Sequence, residues 1–441
     1  MKPQKLLVAA VLLAGLSGLV WYAKQHPPAA STSPAAESPK VVDIPDASVK
    51  SVDLRRKDGS SITLEKEEGK WTITTPEHWK ADQDAATTLL SSLHPVSADS
   101  VVENSSSDLT KYGLNKPSLD VTVHLANGKS DELLFGDDVP AGSLVYVRTA
   151  NDPKIYAVAS SVKTSLDKSA NDLRDKRLLT FDQNHLTRID LMSGKSDIEF
   201  GKNNANEWQM LKPQPYRVDS FQVEELLRKL TDAKMDLTGN ADDAKKSAAA
   251  FASGTPVSKV EVADSSGVQT LDVRKQKEDY YAKSSVVPGI YKVSSDLGKA
   301  IDNKQIDDFR NKKIFDFGFS DPTKIVVSGS GVNKAITRAG TDWKSNNQTM
   351  DAGDVQALID RMRDLTATKF DTAGFTQPAL TLSVTSNEGK RVEKVEFAKV
   401  DNGYIARREN QATLYQLDAK PVNDILEASK TLKTAKPGTK K

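Results

Sequence analysis

The chain has 441 residues, 38% hydrophobic and 27% charged, with a formal net charge of +1. That is room for about three domains of ordinary globular composition, and the balanced charge excludes the basic face that a nucleic-acid binder needs. The absence of cysteine excludes disulfides, thiolate metal sites, a cysteine nucleophile and a lipid-modified N-terminal cysteine. His26, His78, His94, His124 and His185 are too scattered to suggest a histidine metal cluster.

At the N-terminus, Lys2 and Lys5 precede an uncharged, mostly apolar run, Leu6–Tyr22. As a helix rising about 1.5 Å per residue it would span roughly 26 Å, just enough for a bilayer core. Leu6, Leu12 and Leu16 mark its apolar body, and Trp21 and Tyr22 suit the membrane interface. The expectation is one uncleaved N-terminal transmembrane helix. A cleaved signal, with its best site near Ala29–Ala30 beside Pro28, and a soluble core helix are the alternatives. Positive charge ahead of the run favours an N-terminus inside and the bulk of the chain across the membrane, in the periplasm of a bacterium. Residues 23–47, with Pro27, Pro28, Pro34, Pro39 and Pro45 among Ala and Ser, read as an extended spacer.

The rest is written three times. Val52, Leu54, Trp71, Asp82, Leu89–Leu90 and Leu93 return as Ile189, Leu191, Trp208, Asp219, Leu226–Leu227 and Leu230. They return again as Ile325, Val327, Trp343, Asp351, Leu358–Ile359 and Met362. In the first copy, Lys57-Asp58-Gly59 signals a hairpin, and a strand through Trp71 follows. Asp82 then caps an amphipathic helix that ends at Pro95. The second half opens at Pro117, Pro256 and Pro378, each eleven residues before a turn glycine, Gly128, Gly267 and Gly389. Asn127-Gly128 predicts a type I′ turn. Tyrosine-bearing strands follow, and the first two copies close on Leu173–Leu179 and Phe309–Phe315. The pattern predicts an α+β fold of three tandem repeats, each β-β-β-α-β-β-β-β-α with mostly antiparallel pairing. The repeats are placed at residues 48–182, 183–318 and 319–433, before a basic, frayed tail at 434–441.

Few positions suggest chemistry. The repeated tryptophans could stack a glycan, but strand residues opposite an amphipathic helix read more simply as core. The repeated aspartates read as helix N-caps rather than acids. Tyr146 with Arg148, and Tyr281 with Lys283, set an aromatic and a cation on one strand face, while in the third copy Tyr404 stands with Arg407. These six are the candidate binding residues for an anionic or sugar group, although a half-exposed sheet face gives the same pattern. The basic clusters Arg174–Arg177 and Arg310–Lys313 favour helix C-termini, or a partner or lipid headgroups. Asp137-Asp138, Asp242-Asp243 and Asp307-Asp308 lack calcium-loop spacing. No phosphate-cradling glycine loop, His-Glu-x-x-His or nucleophile elbow occurs, and Ser328-Gly329-Ser330-Gly331 reads as a hairpin turn. Catalytic residues, metal and cofactor are therefore all expected to be none.

A longer succession is more distinctive. Trp71-Thr72-Ile73, Ala81-Asp82, Leu89-Leu90-Ser91-Ser92-Leu93 and Tyr112-Gly113-Leu114-Asn115-Lys116-Pro117 lead to Val145-Tyr146-Val147 and Leu173-Arg174-Asp175-Lys176. This resembles the domain-of-unknown-function 4340 family, most clearly over the first copy, because the Tyr-Gly-Leu element is degraded in the others. The resemblance implies a membrane anchor and association with ABC-transporter subunits of the gliding-motility type, and it carries no catalytic residues. The expectation is a non-enzymatic, membrane-anchored periplasmic accessory or scaffold protein of an envelope complex. A module binding a cell-envelope polymer is the alternative, and an envelope hydrolase stands third.

Overall fold

The computed structural model describes residues 38–140, 142–204, 206–238, 242–319 and 322–435. The run carrying Leu6, Leu12, Leu16, Trp21 and Tyr22, most of the proline-rich spacer and the end of the basic tail lie outside them. No helix among the described residues is long and apolar enough to cross a membrane.

The chain divides into two compact units, Met1–Asp175 and Lys176–Lys441. In the first, nine antiparallel strands form one sheet. Its order is Trp79–Lys80, Lys70–Thr75, Ser61–Glu67, Val49–Arg56, Leu119–Leu125, Ser130–Asp138, Leu144–Thr149, Asp152–Ala159 and Ser100–Glu103. Two four-stranded meanders thus lie side by side, joined through their first strands, with Val52 opposite Val123 and Leu54 opposite Val121. Alternation builds the buried face. Val52, Leu54, Ile62, Leu64, Trp71, Ile73, Val121, Val123, Phe135 and Val147 all point to one core. The helix Gln83–Ser91 crosses that face between the meanders and adds Ala86, Leu89 and Leu90. Asp82 caps it by accepting from the amides of Asp84 and Ala85.

The second unit holds two sheets of the same order. One runs Tyr216–Arg217, Trp208–Lys212, Ser196–Lys202, Arg188–Ser193, Thr255–Asp264, Gly267–Gln276, Asp279–Ser284 and Ile290–Val293. The other runs Gln348–Thr349, Asp342–Ser345, Val332–Ala339, Lys324–Gly329, Leu380–Ser386, Arg391–Val400, Gly403–Arg408, Leu414–Asp418 and Lys369–Asp371. Their crossing helices, Ser220–Thr231 and Ala352–Arg363, are capped by Asp219 and Asp351.

The expected fold class is corrected by these sheets. The described residues form a mostly antiparallel β architecture of four sheets, and none of their helices exceeds 12 residues. Four strands of the large sheet, not three, precede each crossing helix, because Trp79–Lys80, Tyr216–Arg217 and Gln348–Thr349 add edge strands of two residues. Two residues are too few to display a period. In the second sheet the helix Asp242–Ser253 appears where the others place a ninth strand. Its Ala248-Ala249-Ala250 run favours a helix over a strand. The small fourth sheet pairs Lys40–Val42 with Val96–Ser97, and Ile44 is buried beside it. Part of the stretch whose proline content suggested a spacer is therefore folded. Asn127 keeps a negative φ, so the turn after Leu125 is not type I′; Gly128 alone is left-handed there, at φ 82°.

Candidate functional site

The expected aromatic–cation pairs lie on three different sheets. Tyr146 is half-buried and meets Tyr112 edge-on, with ring centroids 5.0 Å apart, while Tyr112 donates to Glu103. Arg148 shares its face, and the buried Nε of Arg148 has no hydrogen-bond partner among the described residues. Tyr281 is half-buried and Lys283 exposed.

The third pair is differently built. Tyr404 is buried, donates to Asn423 Oδ1 at 2.9 Å and packs edge-on to Phe397. The registers explain this: Ala282 pairs with Val273, and Ala406 with Phe397. Arg407 thus corresponds to Lys283, and Tyr404 to the buried Tyr280. The cation kept its place and the tyrosine moved to the core face. Arg407 is engaged by Glu396 at 2.8 Å and lies over Phe375 at 4.3 Å.

A different set of side chains converges within the second unit. The segment after the helix Ile306–Phe309 passes from one core to the next. Phe309 is buried in the core of the second sheet, while Ile314, Phe315 and Phe317 are buried in that of the third. Backbone bridges join Val218 to Arg310 and Lys313 to Thr366. The Arg310 guanidinium is sandwiched between Tyr216, at 4.1 Å, and Phe370, at 3.6 Å. Its relative Arg174 lies over Trp79 at 4.4 Å. Both basic clusters thus supply arginines that stack on aromatic rings.

Behind this joint lies a charged network. Arg217 donates to Asp316, to the Lys313 carbonyl at 3.0 Å and to the Tyr415 hydroxyl at 3.1 Å. Asn311 donates to Asp316 at 3.0 Å. Arg408 reaches Glu393 at 2.9 Å and Asp316 at 3.3 Å, and donates to the Ile314 carbonyl. Arg391, nearer solvent, stands 3.5 Å from both carboxylates. Burial opposes the charge on Arg217, but Asp316 and Tyr415 more than offset it, so its pKa lies above the ordinary arginine value.

Of this network Arg217, Asn311, Asp316 and Arg391 floor a cleft of about 620 Å³ between the second and third sheets. Trp208, Gln209, Gln214 and Tyr216 line one side, and Asn410–Thr413 line the other. Trp71 and Trp343 are buried as core, whereas Trp208 is half-buried and opens onto the cleft. Lys202 lies 5.1 Å from its ring centroid. Glu207 at the rim accepts from Asn203 at 3.1 Å. Nothing local in the sequence marks this set, because its members come from positions as far apart as 208, 316 and 411. The arrangement can hold a ligand with flat apolar faces, hydroxyls and negative charge. Among the described residues no group of three or more His, Asp or Glu is placed to hold a metal ion.

No match was found among curated proteins or among solved structures. The Domain of unknown function (DUF4340) family matches over residues 71–248 and again over 208–383. Each stretch starts at a strand tryptophan, Trp71 or Trp208, and runs through a closing segment into the following sheet. The family pattern therefore contains the joint as well as the sheet, and this chain belongs to the Domain of unknown function (DUF4340) family.

Proposed function

We propose that the chain is a non-catalytic accessory protein of a bacterial envelope complex. In this reading it is a platform attached to the inner membrane, with its bulk on the periplasmic side and an ABC-type transporter as the complex it serves. The observation that carries the reading is the shared segment Phe309–Phe317, buried in two cores and clamped by Arg310 and the Arg217–Asp316 network. A platform must fix the spacing of its contact surfaces. Here the ordering cost is met in folding rather than on binding. Membrane attachment rests on the apolar run Leu6–Tyr22 behind Lys2 and Lys5. The transporter link rests on family resemblance alone.

Phe221, 70% exposed, and Phe319, 91% exposed, are large apolar side chains turned to solvent. Photo-crosslinkers at these two positions in the full chain, activated in intact cells, test the proposal. The expected outcome is a chain that fractionates with membranes and captures integral subunits of a transporter. A chain recovered in the soluble fraction, or one that yields no membrane-protein adduct from either position, overturns it.

A further inference from the structure

We infer that the cleft between the second and third sheets binds an acidic saccharide. Its volume of about 620 Å³ falls in the range of small-ligand sites, roughly 300–1,000 Å³. Two rings, Trp208 and Tyr216, stand on one wall, each offering a flat apolar surface of the kind a pyranose face covers. The carboxamides of Gln209, Gln214, Asn410 and Gln411 border the same space. A carboxamide donates and accepts at once, which matches a row of sugar hydroxyls.

Charge selects the acidic member of that class. Arg217, Arg391 and Asp316 line the floor, and the buried pair Arg408–Glu393 backs it, so the network carries three guanidiniums against two carboxylates. Glu207 lines the rim, and Lys202, beside the Trp208 ring, offsets its charge from outside the lining. The surplus falls on Arg391, which is 40% exposed and makes no hydrogen bond among the described residues, its two ion pairs both being 3.5 Å long. A ligand carboxylate would give it the bidentate partner it lacks.

A peptide fits less well. Extended peptides add to a free sheet edge, and the edge facing this cleft is taken. Asn311 donates its amide to the Arg217 carbonyl at 3.0 Å, and Asp219 donates to the Phe309 carbonyl at 2.8 Å. This inference stands apart from the platform reading, since a transporter partner neither requires nor excludes a sugar in the cleft.

Calorimetric titration of the full chain with oligogalacturonate, with a neutral malto-oligosaccharide of equal length and with an oligoglutamate peptide decides it. Oligogalacturonate should bind saturably, more tightly than the neutral sugar, and more weakly as salt rises. Trp208→Ala and Arg391→Gln should each weaken it by about tenfold. Gln411→Ala, on the loop and outside both apolar cores although it accepts from the Tyr415 hydroxyl at 3.4 Å, provides a third variant should Trp208→Ala misfold. Lys50→Ala, exposed on the first sheet, should bind as the parent does. Absence of saturable binding, equal affinity for the peptide, or affinity unchanged in folded Arg391→Gln and Gln411→Ala overturns the inference.

Discussion

Asp190 shows how one side chain can be set against its neighbours. It is buried on the strand Arg188–Ser193, flanked by Glu199 and Glu261, with Lys212 3.9 Å away. Burial first, and then the neighbouring Asp197, push its pKa up to about 6 from an ordinary 3.8. A folded-state value above the unfolded one means that the folded protein holds this proton more tightly. Its contribution to stability is therefore complete below about pH 4 and is lost as pH rises through about 6. Asp190→Asn removes the charge and keeps the shape. Thermal melts should show it more stable than the parent near neutral pH and no different near pH 4, and equal profiles at both would refute the assignment. Tyr404 makes the opposite point about reading single residues. Its neighbours Gly403 and Ile405 leave the register undetermined in sequence, and a slip of one residue carries a side chain from the open face to the core. The pairing of Ala406 with Phe397, invisible in the sequence, settles the matter.

Among the elements, the crossing helices were the most legible, because a cap and a period reinforce each other over two to three turns. Asp219 accepts from the Phe221 amide at 3.0 Å, and Val223, Leu226 and Leu230 are buried behind it. Asp219→Ala should cost about 1 kcal/mol in chemical denaturation, while Asp219→Asn should cost much less, since Asn caps as well as Asp. An Asn variant as unstable as the Ala variant would mean that charge rather than capping is at work. Hairpins were legible where glycine forces the turn: Ser330 at φ 48° and Gly331 at φ 80° do join two strands, as Ser328-Gly329-Ser330-Gly331 suggested. The two-residue edge strands were not legible, since they exist only through pairing with a longer neighbour. Nor was the small sheet near Ile44, whose apolar residues are spaced among Pro39 and Pro45.

For the whole chain, the recurrence of tryptophan, aspartate and the leucine pair foreshadowed the repeated sheet, but it was silent about how consecutive sheets are held. The cleft and its floor were illegible for the same reason, because Arg217, Asp316 and Arg391 are brought together only by the joint. Arg310 is the side chain on which that joint turns. It is stacked on both faces, donates to Asp307 at 3.0 Å and Thr413 at 3.2 Å, and is 10% exposed. A desolvated cation–π contact is worth about 2 kcal/mol, so Arg310→Ala should destabilise the Lys176–Lys441 unit by roughly 2–4 kcal/mol. Arg310→Lys keeps the charge and loses the planar double stack, and should fall between parent and Ala. The damage should also be local. The backbone at Lys312 and Lys313, whose side chains are already exposed, would open to trypsin before either sheet unfolds, and the early fragments should separate at that point. Stability within error of the parent, or cleavage spread evenly over the unit, would show that the sheets are held by something other than this stack.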